Sequence, residues 1–169
     1  MTDSYLDSPA SDPIDALELF LLNGDWSFER SRNNEILLSI KGNYCEYNIT
    51  IHWNPEQHIL HFAFVFHVGL PKDNLNTQHE MSLLKLVSLL NENMAVGHFD
   101  LWREENAMVW RCGQVIFSEQ LPEAYFDHIL QLALQTCERY YSSFQFVLWA
   151  NQSPEDALQN LMFETAGNA

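Results

Sequence analysis

The chain has 169 residues, and 47% of them are apolar, so its length suits one domain and its composition excludes a disordered chain. Acidic residues outnumber basic ones by 23 to 8, which gives a formal net charge of −15. A charge of this sign repels phosphate backbones and anionic membrane surfaces, and it argues against binding to nucleic acid or to a membrane.

The first predicted helix follows a flexible acidic N-terminal tail over residues 1–11. Ser11 or Asp12 can cap this helix, and Pro13 suits its first turn, where a missing N–H costs nothing. Asn23–Gly24 ends it. Its apolar face consists of Ile14, Leu17, Phe20 and Leu21.

Four strands are predicted next, over Trp26–Arg32, Glu35–Lys41, Cys45–Trp53 and Ile59–His67. The turn signals between them are Asn33–Asn34, Gly42–Asn43 and Asn54–Pro55–Glu56. The third strand alternates apolar and polar residues, which predicts one buried and one wetter face. The fourth strand carries apolar residues on both faces, which predicts a central strand or an intermolecular contact.

A long helix is predicted from Thr77 to about Met94, after a loop over Pro71–Asn76. The apolar residues of this helix allow two alternatives for its buried face. One consists of Met81, Leu84 and Val87, and the other of Leu83, Leu86 and Leu90. Gly97 follows its end.

The rest of the chain predicts a second hairpin and two helices. The hairpin strands are His98–Glu104 and Ala107–Ile116, and a helix opens at Leu121–Pro122 and runs to about Tyr141. A short apolar stretch follows, and a capping sequence at Ser153 starts a last helix to about Phe163. The order is α-β-β-β-β-α-β-β-α-α. It predicts an α+β fold, with an antiparallel sheet flanked by helices, in a single domain over residues 12–169.

The cysteines indicate a reducing compartment. The chain has an odd number of cysteines, Cys45, Cys112 and Cys137, and their spacing contains no C-x-x-C. No secretory leader precedes them. No apolar run approaches the roughly 20 residues that a membrane helix needs. We therefore expect a soluble cytoplasmic protein with reduced thiols. All three thiols lie in apolar surroundings in the predicted strands and helix, which is typical of core cysteines and not of nucleophiles.

Histidines raise an alternative function, a metal-dependent switch or enzyme. The crowded group is His52, His58, His61 and His67. If the third and fourth strands form a hairpin, one register pairs His52 with His61, and another puts them on opposite faces. A zinc site needs three or four convergent ligands, so this spacing favours half-buried strand histidines. No metal or other cofactor is expected.

Catalytic motifs are missing from the sequence. The adjacent acids Glu104 and Glu105 fall at a predicted hairpin tip, where carboxylates are usually solvated. No Gly-rich phosphate-binding motif and no G-x-S-x-G is present. The sequence therefore predicts a protein that is not an enzyme and has no catalytic residues.

Aromatic residues, 13% of the chain, indicate either a bulky core or an interaction surface. Trp102 shares a strand face with His98 and Asp100, opposite Phe99 and Leu101. The candidate protein-binding residues are Phe64, Phe66, Trp102 and Trp110.

Three segments together resemble the YbjN-domain family. They are DWSFER at 25–30, GHFDLW at 97–102 and CERYYSSFQFVLWA at 137–150. The capped helix start at Ser153–Leu158 and the ending at Phe163–Glu164 also resemble that family. The resemblance covers the chain from about Asp12 to its C-terminus.

The resemblance implies a bacterial sensory transduction regulator with a fold similar to the class I chaperones of type III secretion. Those chaperones are small, acidic and dimeric, and they hold an extended segment of a client. The family supplies no catalytic residues that could be carried over. The resulting hypothesis is a non-enzymatic module, regulatory or chaperone-like, that binds an unidentified protein and forms a homodimer. A remoter alternative is an acidic mimic of DNA.

Overall fold

The computed structural model describes residues 12–31, 34–70, 77–117 and 121–167, with side chains described as far as Leu161. The predicted tail over 1–11 and the predicted loop Pro71–Asn76 lie outside these residues. The described elements, in chain order, are α1 (Pro13–Asn23), β1 (Phe28–Ser31), β2 (Glu35–Lys41), β3 (Glu46–Asn54), β4 (Ile59–Phe66), α2 (Thr77–Asn91), β5 (His98–Trp102), β6 (Ala107–Val115), α3 (Glu123–Trp149) and α4 (Pro154–Gly167).

The strands form one antiparallel sheet in the order β1-β2-β3-β4-β6-β5. The predicted α+β class and element order are confirmed. β4 lies between β3 and β6, which accounts for its apolar residues on both faces. Asp12 caps α1 by accepting a hydrogen bond of 2.9 Å from the backbone N–H of Ile14.

The core lies between one face of the sheet and the helices. A cross-strand row on that face runs Leu38, Ile49, Phe64, Trp110, Phe99 from β2 to β5, and every member is buried. Helices α1, α2 and α3 contribute buried residues to the same continuous cluster. Because side chains alternate along a strand, the intervening residues of every strand point to the opposite face.

Three helices differ in extent from the sequence-based prediction, and one of them is α4, which continues to Gly167 and not to about Phe163. α3 continues without a break to Trp149, since Phe144, Val147 and Leu148 extend its buried stripe and the Ser143 hydroxyl donates to the Tyr140 carbonyl at 2.6 Å. α2 ends at Asn91, not Met94. Of the two predicted alternatives for the buried face of α2, the structure adopts the one with Leu83, Leu86 and Leu90. Val87 is buried beside them. Nowhere in the described chain is a helix apolar enough over a sufficient length to cross a bilayer, even though α3 has 27 residues.

Glu138 of α3 holds the β2–β3 hairpin against the helix layer. Its carboxylate accepts hydrogen bonds from the Tyr47 hydroxyl at 2.7 Å and from the Asn43 backbone N–H at 3.1 Å. Tyr44 stacks on Tyr141 of the same helix, with ring centroids 5.0 Å apart. Burial, followed by the hydrogen bond to Glu138, raises the pKa of Tyr47. Tyr47 therefore stays a neutral donor to the carboxylate.

The outer edge of β5 is closed by side chains. The Asn91 side-chain amide, at the end of α2, accepts from the Phe99 N–H at 2.8 Å and donates to the Phe99 carbonyl at 3.0 Å. The Leu101 N–H donates to the Asp100 carboxylate at 2.9 Å. An edge strand ordinarily presents such groups to another chain. At β5 the amide of Asn91 takes the place that a neighbouring strand would occupy.

The Asn91→Ala substitution is expected to lower the free energy of unfolding by about 2 kcal/mol, because it leaves two backbone groups of Phe99 without partners. Urea denaturation measures the change. Asn93→Ala is the matched control, since the exposed Asn93 amide makes one hydrogen bond, of 3.2 Å, to the Leu89 carbonyl. Equal loss of stability in the two variants would contradict the proposed role of Asn91.

Candidate interaction surface on the sheet

Three of the four candidate binding residues lie in the core. Phe64, Phe66 and Trp110 have 0% exposure, whereas Trp102 is 37% exposed. Trp102 pairs with Ala107, and Trp110 is three positions beyond Ala107, so the two tryptophans point to opposite faces. The placement of Phe64, Phe66 and Trp110 on an accessible surface was therefore wrong. A role for Trp102 in partner binding stays a prediction.

Trp102 belongs to the face of the sheet that no described helix covers, here called the uncovered face. Its central row crosses all six strands of the sheet: Glu29, Leu37, Thr50, Ala63, Arg111 and His98. The flanking rows are Glu35, His52, His61 and Gly113 on one side and Ser39, Asn48, Val65, Val109 and Asp100 on the other.

Apolar side chains remain accessible on this face. Leu37 on β2 is 37% exposed and Val115 at the end of β6 is 60% exposed. Ala63 and Val65 on the central strand are half-buried. A shallow depression of about 740 Å³ lies over β1, β2 and β3, and its lining on the uncovered face is Glu29, Leu37, Ser39, Glu46, Asn48 and Thr50. A mixture of apolar and polar groups of this kind is found in non-obligate protein interfaces and on ordinary protein surfaces alike.

Charge is divided unevenly between the two halves of the uncovered face. The β1–β3 half carries three glutamates, Glu29, Glu35 and Glu46, of which Glu46 lies opposite Lys41. Arg30 does not offset them, because it pairs with Asp15, at 2.7 Å, and with Glu18 on α1.

The β4–β5 half carries Arg111 and two of the histidines, whereas Lys41 and His52 belong to the β1–β3 half. The histidines of the β4–β5 half are His61 and His98, and the Arg111 guanidinium lies 3.9 Å from the Asp100 carboxylate. His52 of β3 is the cross-strand partner of His61, so the chain adopts the register that pairs these two histidines. Burial, then the positive charge of Arg111, lowers the pKa of His61 from its ordinary value of 6.5. His61 is therefore neutral at pH 7.

The other two histidines of the sequence cluster lie away from this pair. His58 occupies the β3–β4 turn, with its ring 6.1 Å from Trp53 and 5.6 Å from Phe117. His67 follows β4, and its Nδ1 is 3.4 Å from the Asn106 carbonyl. Across the described ranges no three His, Cys, Asp or Glu side chains converge to hold a metal ion.

The cysteines resemble structural thiols. Cys112 and Cys137 are buried and Cys45 is half-buried, and all three are free. Burial raises the pKa of Cys45 and of Cys137. A raised pKa suppresses the thiolate that a nucleophile requires. Glu104 and Glu105 lie exposed in the β5–β6 turn, as predicted.

Sequence reasoning overlooked Leu37 and Arg111 as surface residues, whereas it had placed His98 on the strand face of Trp102. For Leu37 a signal existed: it stands between Ile36 and Leu38, and three successive apolar residues cannot all share one face of a strand. For Arg111 no local signal exists, because its proximity to His98 depends on the β5–β6 register.

The profile of one protein family matches most of the chain. That family, YbjN, is described as "Putative bacterial sensory transduction regulator", and the match covers residues 13–146. The chain belongs to the YbjN family. Curated proteins and solved structures gave no match. The similarity to type III secretion chaperones therefore stays a prediction.

The YbjN match extends from α1 through nearly all of α3 and includes the whole sheet. Several residues in the segments that resemble YbjN proteins serve the fold. Gly97 has φ +71, and a Cβ there would collide with the Trp110 ring. Glu138 and Tyr141 hold the β2–β3 hairpin. Within these segments, Gly97, Glu138 and Tyr141 thus serve the fold.

The Arg111→Gln substitution is expected to raise the pKa of His61 towards its ordinary value, because it removes a nearby positive charge. An NMR titration of the His61 ring measures the change. Arg139→Gln, on α3 across the sheet, is the control. Because the pKa of His61 is lower in the folded state than in the unfolded state, the unfolded state binds more protons as the pH falls below 6.5. The contribution of His61 therefore lowers the free energy of unfolding over that range. An unchanged His61 pKa in Arg111→Gln would contradict this account.

Proposed function

We propose that this YbjN-family chain is a non-enzymatic regulatory or chaperone-like module that binds another protein on the uncovered face of its sheet. The observation that carries the proposal is the arrangement of the layers. The core aromatic residues face α1, α2 and α3, and the opposite face presents Leu37, Trp102 and Val115 among polar groups. Exposed apolar groups rimmed by polar residues mark interaction sites.

A binding function agrees with the chemistry of the chain. The family description names a regulator, and it names no reaction. Cys45 and Cys137, the two thiols with raised pKa values, are poor nucleophiles. Three free cysteines are consistent with action in the reducing cytoplasm. The net charge of −15 favours a protein partner over nucleic acid or an anionic membrane.

A homodimer is part of the proposal.

The Leu37→Glu substitution is expected to reduce capture of the partner at least about tenfold, since it places a charge among the apolar groups of the interface. Affinity capture of the tagged protein from cell extract at moderate salt, with quantification by mass spectrometry, measures the change. Leu22→Glu is the matched control, because Leu22 is 59% exposed on α1.

Trp102→Ala provides a second test on the same face, and it is expected to weaken capture while the protein remains folded. A partner retained equally by wild type, Leu37→Glu and Trp102→Ala would contradict the assignment of the uncovered face. A partner that is lost from the wild type at moderate salt would indicate screened attraction to the acidic surface and would contradict specific binding.

A further inference from the structure

We infer that β6 accepts an extended segment of the partner protein as an added strand, at the place where β6 runs past the start of β5. This place, here called the β6 notch, consists of residues 112–115, which have no β5 residue opposite them. The inference rests on the proposed function, because it names the form in which the partner's chain binds.

Gly97 sets the start of β5 and thereby leaves the β6 notch open. Its φ of +71 lies in the left-handed region and turns the chain out of the strand direction. A side chain at Gly97 would collide with the Trp110 ring. The chain before Gly97 therefore does not continue along β6, and a depression of about 280 Å³ remains between residues 95–98 and residues 112–114.

The backbone groups of Gly113 and Val115 point into the β6 notch. The Ile116 N–H donates to the His58 carbonyl at 2.8 Å, so the even-numbered residues at this end of β6 direct their N–H and C=O groups to β4. Because these groups alternate in direction along a strand, those of Gly113 and Val115 point away from β4. Within the described chain, no hydrogen bond engages them on that side.

The alternation agrees with the bonds that β5 makes. The backbone of Phe99 bonds outward to the Asn91 amide, so the neighbouring residue His98 directs its own groups to β6, where it pairs with Arg111. The next two β6 residues of the set to which Arg111 belongs are the ones that point into the β6 notch. This edge of the sheet is therefore closed at Phe99 and open for two successive positions of β6.

The chemistry of the β6 notch selects an extended chain as its occupant. Gly113 and Val115 each offer one donor and one acceptor, and the two sets lie about 6.7 Å apart, two strand residues. Alternate residues of any strand repeat their backbone groups at this same spacing, so one strand can bond to both positions. A partner helix has no such groups to offer, because it uses them internally.

Side chains beside the β6 notch indicate what the added strand carries. Among the described residues, a Cβ built on Gly113 would meet only the Ile59 side chain within 4 Å, at 3.5 Å, so a gap lies over Gly113 on the uncovered face. Val115 on the same face is 60% exposed. Every second side chain of an added strand points to this face. Apolar side chains at two such positions fill the gap over Gly113 and cover Val115.

Amide hydrogen exchange of the free protein tests the direction of the backbone groups. The Gly113 and Val115 amides are expected to exchange at least about tenfold faster than those of Cys112 and Gln114, whose N–H groups point to β4. NMR resolves each amide separately. Gly113 and Val115 amides as protected as those of their neighbours would show that the β6 notch is already occupied, and this would overturn the inference.

A synthetic peptide tests the binding of an added strand. The probe has about eight residues, in which threonine alternates with valine or phenylalanine between terminal lysines. The lysines suit a chain of net charge −15, which attracts a basic segment. Saturating peptide is expected to slow exchange of the Gly113 and Val115 amides at least about tenfold. The same peptide with its central amides N-methylated is the control, and protection by both peptides, or by neither, would overturn the inference.

Val115→Pro removes the N–H that points into the β6 notch and leaves the ladder to β4 in place, since Gln114 and Ile116 make those bonds. It is expected to raise the Kd of the probe peptide at least about tenfold, as measured by NMR titration. Val115→Thr keeps the N–H and a β-branched side chain, and its Kd should stay within about threefold of wild type. Equal affinity in the two variants would contradict the added strand.

Capture of the partner from cell extract separates this inference from the proposed function. Capture lost in Leu37→Glu and kept in Val115→Pro would refute the added strand and leave the uncovered face as the binding site. Capture lost in Val115→Pro and kept in both Leu37→Glu and Trp102→Ala would support the added strand and contradict the proposed face. Loss in all three variants, with Val115→Thr unaffected, supports both.

Discussion

Packing of the β4 and β6 aromatics beneath α3 is the constraint on which the rest of the molecule depends. Phe64 meets Trp110 edge-on, with ring centroids 5.8 Å apart, and Phe66 contacts Phe99 and Phe144. Because side chains alternate along a strand, fixing these rings to the helix side fixes the direction of every other residue in the sheet. The composition of the uncovered face is thus the complement of the core, and a one-residue shift in register would exchange the two.

The same constraint shapes what the protein can recognise. With Phe64, Phe66 and Trp110 committed to the core, the uncovered face is left with Leu37, Val65 and Trp102 among histidines, glutamates and one arginine. Such a surface has little apolar area to offer, so charge pattern and fit must contribute much of its selectivity. Under the proposed function, modest apolar burial on this face would permit rapid dissociation of a bound partner.

Much of the fold could be predicted from local patterns. Helix caps, turn signals and period-two alternation predicted the class and the element order, since each depends on residues near one another in sequence. The site could not be predicted in this way. Trp110 was assigned to the wrong face because its direction relative to Trp102 follows from the β5–β6 register, which pairs Trp102 with Ala107 and which the sequence did not determine. The contact of Asn91 with β5 could not be predicted, because the sequence of a helix that ends in asparagine does not show whether the side-chain amide reaches a strand.

The closed edge at β5 also limits how copies of this chain can assemble side by side. Continuous growth of a sheet from one molecule to the next needs two free edges, one to donate and one to accept. Of the two edge strands in the described part of the chain, β5 is the one whose Phe99 backbone groups are engaged by Asn91 and are therefore not available to another molecule. Two molecules joined through β1 would present β5 at both ends, and the assembly would stop at a pair. Engagement of the Phe99 backbone by Asn91 therefore works against continuous sheet growth through β5.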